Sequence, residues 1–285
     1  MNRDPHKSKD FSQEEEAIAR VREDLKQRFP LPPSTPAKNK RPTGKTLGLL
    51  LLAMVAGVAW VDPAYRSEHF ASQVGQRQAL QLADGSRVLL DSSTQMTVSW
   101  HLRSRQVELK AGQALFEVSP RVYRPFLVDA GLVGVRVVGT RFNVSRQEQD
   151  VQVSVAEGKV TVRAAATGLV TALEPGQQLR LQKGQEAQVK RVDVDDVTAW
   201  QQSRLVFEST PLEEVIGILQ RYHRQPIRLM DPRLARLPVS GVFDSGHVDR
   251  LLALLPGILA LSVSTAADGS VLIDSPGKKN NLQPR

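Results

Sequence analysis

The chain has 285 residues, 41% hydrophobic and 24% charged, which allows one or two folded units plus tails and excludes both a wholly disordered chain and a polytopic membrane protein. Its formal net charge is +8, but the basic residues crowd before residue 46, at Lys38, Lys40, Arg41 and Lys45 among others, and none interleaves with aromatics on a strand, which argues against a nucleic-acid platform. The absence of cysteine excludes disulfides, a thiolate zinc ribbon and a Cys nucleophile.

Ser12-Gln13-Glu14-Glu15 has the spacing of a capping box and predicts a helix starting there. Ile18, Val21, Leu25 and Phe29 follow at steps of three and four, forming one apolar stripe among charged residues with nothing nearby to bury it. Such a stripe reads as a face that docks on another protein, or as a helix that lies on a membrane surface or is only weakly formed. Pro30, Pro32, Pro33 and Pro36 end the helix and begin a Pro- and Lys-rich tether.

From Thr46 to Val61 the sequence TLGLLLLAMVAGVAWV is uncharged and predicts a single membrane helix, short against the roughly 20 residues a bilayer asks for unless Lys45 snorkels and Trp60 sits at the interface. A core helix and a signal peptide cleaved after Gly57-Val58-Ala59 are the alternatives, the latter disfavoured by the 45-residue leader. The basic flank predicts a cytoplasmic N-terminus, an inner-membrane location and a periplasmic segment from 62 to 285.

Beyond residue 76 short alternating runs take over. Asp84-Gly85 predicts a hairpin; further strands are expected around Val107–Leu109, Ala114–Val118, Phe126–Val128, Val133–Val138, Phe142–Val144, Val151–Val155 and Lys159–Val162, with turns at Ala111-Gly112, Gly139 and Glu157-Gly158. This is an all-β unit, closed or solenoid-like to manage its edges. Helices return after residue 200. Thr210-Pro211-Leu212-Glu213 predicts a helix start, and the face Leu212, Val215, Ile216, Leu219 is matched by Val248, Leu251, Leu252, Leu255. With strand-like runs around both, two βα(β) units on one small sheet are expected.

The exported part resembles the FecR family of membrane-bound sigma-factor regulators. The resemblance is carried by Leu82-x-Asp84-Gly85-Ser86-x-Val88-x-Leu90, by Val107-x-Leu109-x-x-Gly112-x-Ala114-x-Phe116-x-Val118, and by Pro125-Phe126-x-Val128. It continues through Val138-Gly139-Thr140-x-Phe142-Asn143-Val144 and Val155-x-Glu157-Gly158-x-Val160-x-Val162. The stretch from Ala199-Trp200 through Pro211-Leu212-Glu213-Glu214-Val215 looks like the secretin/TonB short N-terminal (STN-like) module. The resemblance implies a membrane-anchored chain of class α + all-β + α/β: a cytoplasmic sigma-factor-binding segment (1–45), a transmembrane helix (46–61), a FecR domain (62–198), an STN-like module (199–275) and a disordered tail (276–285).

It also implies the partners: an extracytoplasmic-function sigma factor, bound through Ile18, Val21, Leu25 and Phe29, and the signalling domain of an outer-membrane TonB-dependent receptor serving iron, siderophore or haem uptake. Family members commonly carry a longer cytoplasmic domain with several tryptophans, whereas here none precedes Trp60. A periplasmic scaffold docking a secretin-like machine through the last module is the alternative.

No cofactor, metal site or external-substrate chemistry is expected: the five histidines lack ligand spacing, and no nucleophile elbow or phosphate loop is present. Gly139-Thr140 is the exception. A Thr hydroxyl can attack the preceding carbonyl and shift the acyl group from nitrogen to oxygen, and some FecR-like regulators are similarly cut at a Gly-Thr step. The other reading is a glycine turn followed by a β-branched strand residue.

Overall fold

The computed structural model describes residues 7–29 and 44–276. The expected tether over residues 30–43, the first six residues and the tail from 277 lie outside them. The chain divides into a unit up to Val55 and one from Ala56 onward.

Two helices come first, α1 (Lys7–Arg28) and α2 (Gly44–Val61). α1 begins before the predicted capping box, so Ser12 lies within it rather than at its end. Pairs such as Arg28–Asp24 at 3.2 Å, four residues apart, tie its charged face together. The membrane span is corrected. α2 has 18 residues, which at 1.5 Å per residue is about 27 Å against a hydrocarbon core of about 30 Å. Among the described residues no helix is long and apolar enough to cross a membrane.

The β unit holds β1 (Arg66–Ala71), β2 (Gln78–Gln81), β3 (Arg87–Leu90), β4 (Gln95–Trp100), β5 (Arg105–Glu117), β6 (Phe126–Asp129) and β7 (Val133–Val137). It continues with β8 (Arg141–Gln147), β9 (Asp150–Glu157), β10 (Val160–Ala164), β11 (Val170–Leu173), β12 (Gln177–Gln182) and β13 (Gln188–Arg191). These make one 13-stranded sheet rather than a solenoid. The reason lies in β5. The expected turn at Ala111-Gly112 is a kink inside this single strand: Gly112 has φ +92, and a Cβ there would run into Thr94. Thr94 Oγ1 accepts from the Gln113 amide at 3.0 Å and donates to the Gln113 carbonyl at 3.1 Å, closing the kink.

Before the kink β5 pairs with β4 and, in parallel, β6; after it, with β3 and β8. The sheet thus curls about β5 into a half-barrel. One continuous core fills it, from Leu90 and Val98 through Phe116, Phe126 and Phe142 to Val153 and Leu173. The alternating pattern is what builds it, since every second side chain of β7 or β10 is buried.

The chain then forms α3 (Val194–Thr198), β14 (Arg204–Pro211), α4 (Leu212–Gln220), β15 (Ile227–Leu229), β16 (Pro238–Asp244), α5 (Val248–Ile258), β17 (Ser262–Thr265) and β18 (Val271–Asp274). The one small sheet is corrected to two, a β14–β16 pair and a three-stranded β15–β18–β17 sheet. Both predicted helical faces are buried in a second core, Leu212 to Leu219 on α4 and Val248 to Leu255 on α5. Thr210 does not cap α4; Pro211 holds the N-cap position at φ −54, ψ 138, with no side-chain bond.

Candidate functional site

Gly139 and Thr140 lie between β7 and β8, on the wall of a cleft of about 640 Å³ that Ser119, Pro120, Glu157 and Gly158 also line. The bond is held tightly. A Cβ on Gly139 would come 2.8 Å from Pro120, and one on Gly158, at φ +82, would come 2.7 Å from Thr140 Cγ2 and 3.2 Å from the Gly139 carbonyl oxygen. Only glycines let these segments approach so closely. The Thr140 carbonyl accepts from the Val118 amide at 2.9 Å. Its hydroxyl is buried with no hydrogen-bond partner among the described residues, an unusual state for a group that normally finds one. The nearby carboxylates are committed elsewhere: Glu117 lies 2.6 Å from Arg87 and 3.3 Å from Arg141, and Glu157 lies 3.7 Å from Arg141.

Ile18, Val21, Leu25 and Phe29 stand 52–72% exposed along α1. They belong to the unit up to Val55, whereas Gly139 and Thr140 belong to the other. Among the described residues no group of three or more His, Asp or Glu could hold a metal ion.

A third set of residues escaped the sequence reading. On the outer face of the β unit, cross-strand register aligns Gln113, Ser145, Gln152 and Arg180 in one row, and Asn143, Ser154 and Gln178 in the next. Gln113, Asn143, Ser145, Ser154 and Gln178 are all buried, because the C-terminal module covers them. Trp200 Nε1 donates to Asn143 Oδ1 at 3.2 Å, Arg221 Nη1 donates to Gln113 Oε1 at 2.9 Å, and Arg180 Nη1 pairs with Glu214 at 2.7 Å. Arg77 reaches the Trp200 carbonyl at 2.7 Å and the Ser203 hydroxyl. Gly217 lets α4 approach Gln147, whose Oε1 would lie 3.2 Å from any Cβ there.

The sequence signal was present but weak. The polar positions of these strands carry amides and hydroxyls where a solvated face would carry more charge.

At the same seam the Tyr222 hydroxyl donates to Asp91 Oδ2 at 2.5 Å, and Ser92 and Ser93 donate to the Arg221 carbonyl. Burial pushes the Asp91 carboxyl above its ordinary value, against the opposing pull of Arg221, Tyr222 and Ser92. Burial, reinforced by Asp91, likewise pushes the Tyr222 hydroxyl up. The two apolar cores share no residue, so the module is joined to the β unit by polar bonds and by Trp200 rather than by a common core.

Residues 68–161 match the family described as FecR protein. Two crystal structures of a candidate anti-sigma factor from Parabacteroides distasonis ATCC 8503, at 2.50 and 1.65 Å resolution, are similar to this chain. Each has a TM-score of 0.66 and 28% identity, covering 74% and 73% of this chain and 99% of its own. No protein of curated function matches the chain significantly.

Proposed function

Because residues 68–161 match the FecR family, we propose that the chain is an anti-sigma regulator of that family, which carries a signal from an outer-membrane TonB-dependent receptor to an extracytoplasmic-function sigma factor in iron or siderophore uptake. The observation that carries this reading is the FecR match, together with likeness to a candidate anti-sigma factor over three quarters of the chain. The chain works at the inner membrane, with the β unit and the C-terminal module facing the periplasm, in keeping with the basic residues before residue 46. The FecR domain spans 62–198 and the receptor-facing STN-like module 199–275.

The sigma factor docks on Ile18, Val21, Leu25 and Phe29, an apolar stripe that is solvent-exposed in the described structure. Changing Val21 and Leu25 together to Asp abolishes co-purification of the sigma factor while leaving protein level unchanged, since burying an unpaired carboxylate costs several kcal/mol or about that. Undiminished co-purification sinks the assignment.

A second activity is favoured by one specific observation, the buried and unpartnered Thr140 hydroxyl. Its oxygen attacks the Gly139 carbonyl carbon, the C–N bond breaks, and the Thr140 nitrogen takes the hydroxyl proton to become a free amine. Water then cleaves the ester, leaving a Gly139 carboxylate and restoring the Thr140 hydroxyl. N-terminal sequencing of the C-terminal fragment, residues 140–285, from a strain lacking periplasmic proteases tests it: that fragment begins at Thr140, and a single intact chain refutes the reaction.

A further inference from the structure

The chain comes off α2 through Trp60 and Val61, 85% and 73% exposed, and is tied down at once. The Asp62 carboxylate accepts from the Arg103 amide at 3.0 Å and the Ser104 hydroxyl at 3.1 Å, fastening it to the turn over 101–104. Arg124 fastens the neighbouring turn over 121–124. Its guanidinium donates to the His101 carbonyl and, at 2.8 Å, to the Tyr65 hydroxyl, and it lies 5.8 Å from the centre of the Tyr65 ring. Three short segments therefore make one rigid end of the β unit.

What that end presents is unlike the other turns of the sheet. Elsewhere they hold the usual turn residues, as at Asp84-Gly85, Glu157-Gly158 and Lys183-Gly184. Here the tips read His-Leu-Arg-Ser and Arg-Val-Tyr-Arg, with Leu102 63%, Val122 73%, Tyr123 98% and Tyr65 60% exposed. The charge is one-sided. Arg121 and Arg124 donate to carbonyl and hydroxyl oxygens and make no ion pair among the described residues, while Glu68 pairs with Arg66 at 2.7 Å and the Asp62 carboxylate lies in the field of Arg103. A convex end with exposed Tyr, Leu and Val and uncancelled guanidinium charge fits no enclosed ligand. It fits a surface that is apolar at one depth and anionic at the next, where Tyr rings sit at headgroup level and Arg forks meet phosphates.

We propose that the turns at 101–104 and 121–124, together with Tyr65, dock on a bilayer surface of anionic phospholipid and so hold the β unit against the membrane. This adds to the inner-membrane placement above and is tested apart from it, in vitro. Full-length protein is bound to vesicles of phosphatidylcholine alone or with about a third phosphatidylglycerol, and amide exchange is followed segment by segment; any attachment through α2 is common to both.

With phosphatidylglycerol the 121–124 segment exchanges about ten-fold more slowly, and about 0.5 M salt removes the effect. Val122→Asp with Tyr123→Asp, both on exposed tips, abolishes the slowing while exchange in β9 stays unchanged. Equal exchange in the two lipids, or slowing that survives salt or the double variant, overturns the proposal. So does slowing that appears only when a protein partner is added.

Discussion

Replacing Arg105 with Met probes the one fully buried ion pair of the β unit. Arg105 Nη1 lies 2.5 Å from Asp84 Oδ2, with side-chain exposures of 0% and 3%. The guanidinium also donates to the carbonyls of Arg124 and Ser119, each at 3.0 Å, and sits 5.4 Å from the centre of the Phe126 ring. Met fills much of the volume but leaves the Asp84 carboxylate buried without a counter-charge, for which the expected loss is about 3–5 kcal/mol. For a folded unit of this size that lowers the melting temperature by roughly 6–20 °C. Thermal unfolding followed by tryptophan fluorescence reads it.

The pH dependence supplies a second arm. Burial alone would raise the Asp84 carboxyl, but the Ser86 hydroxyl, Arg105 and the Ser86 amide outweigh it and hold it below its ordinary value. Its contribution is therefore complete above the unfolded value, about pH 3.9, and is lost as pH falls through the depressed folded value. Arg105→Met weakens this acid-side slope. Adding Asp84→Asn to Arg105→Met costs less than the two single losses summed, because each single variant strands the other partner. A single variant within about 1 kcal/mol of the parent would show that the pair's burial is not what makes it matter.

Thr140→Val keeps the β-branched shape without the hydroxyl and gives one full-length band on a gel, whereas Thr140→Ser retains cleavage. Asp91 titrates with the opposite sign to Asp84. Its raised value means that stability present at about pH 3.9 is lost as pH rises through the folded value, so Asp91→Asn flattens the decline in module docking, read by Trp200 fluorescence. Alkaline phosphatase fused after residue 100 is active in cells; an inactive, well-expressed fusion refutes the periplasmic placement. A chain ending at Val197 loses affinity for the receptor's signalling domain, and full affinity there would assign the contact to the β unit instead.

Much of this architecture was legible residue by residue. Alternation at Val133, Val135 and Val137, or at Val160 and Val162, shows which face is buried, because successive strand side chains point to opposite sides. The three-and-four spacing of Leu212 to Leu219 and of Val248 to Leu255 picks out two helices and the faces they bury. The order of the Gly-centred motifs is enough to point to the FecR family before any coordinates. Gly139-Thr140 stands out in the sequence as chemistry, but that its hydroxyl is buried without a hydrogen-bond partner among the described residues does not.

Other features belong to tertiary structure alone. A period of two says which way a side chain points and nothing about which strand lies beside it, so the passage of β5 from one half of the sheet to the other is invisible until Gly112 takes φ +92 against Thr94. For the same reason the sequence does not say what covers Gln113, Asn143 and Gln178. Only the docking of a separate module, carrying Trp200 and Arg221 to them, turns that polar face into a buried, hydrogen-bonded seam.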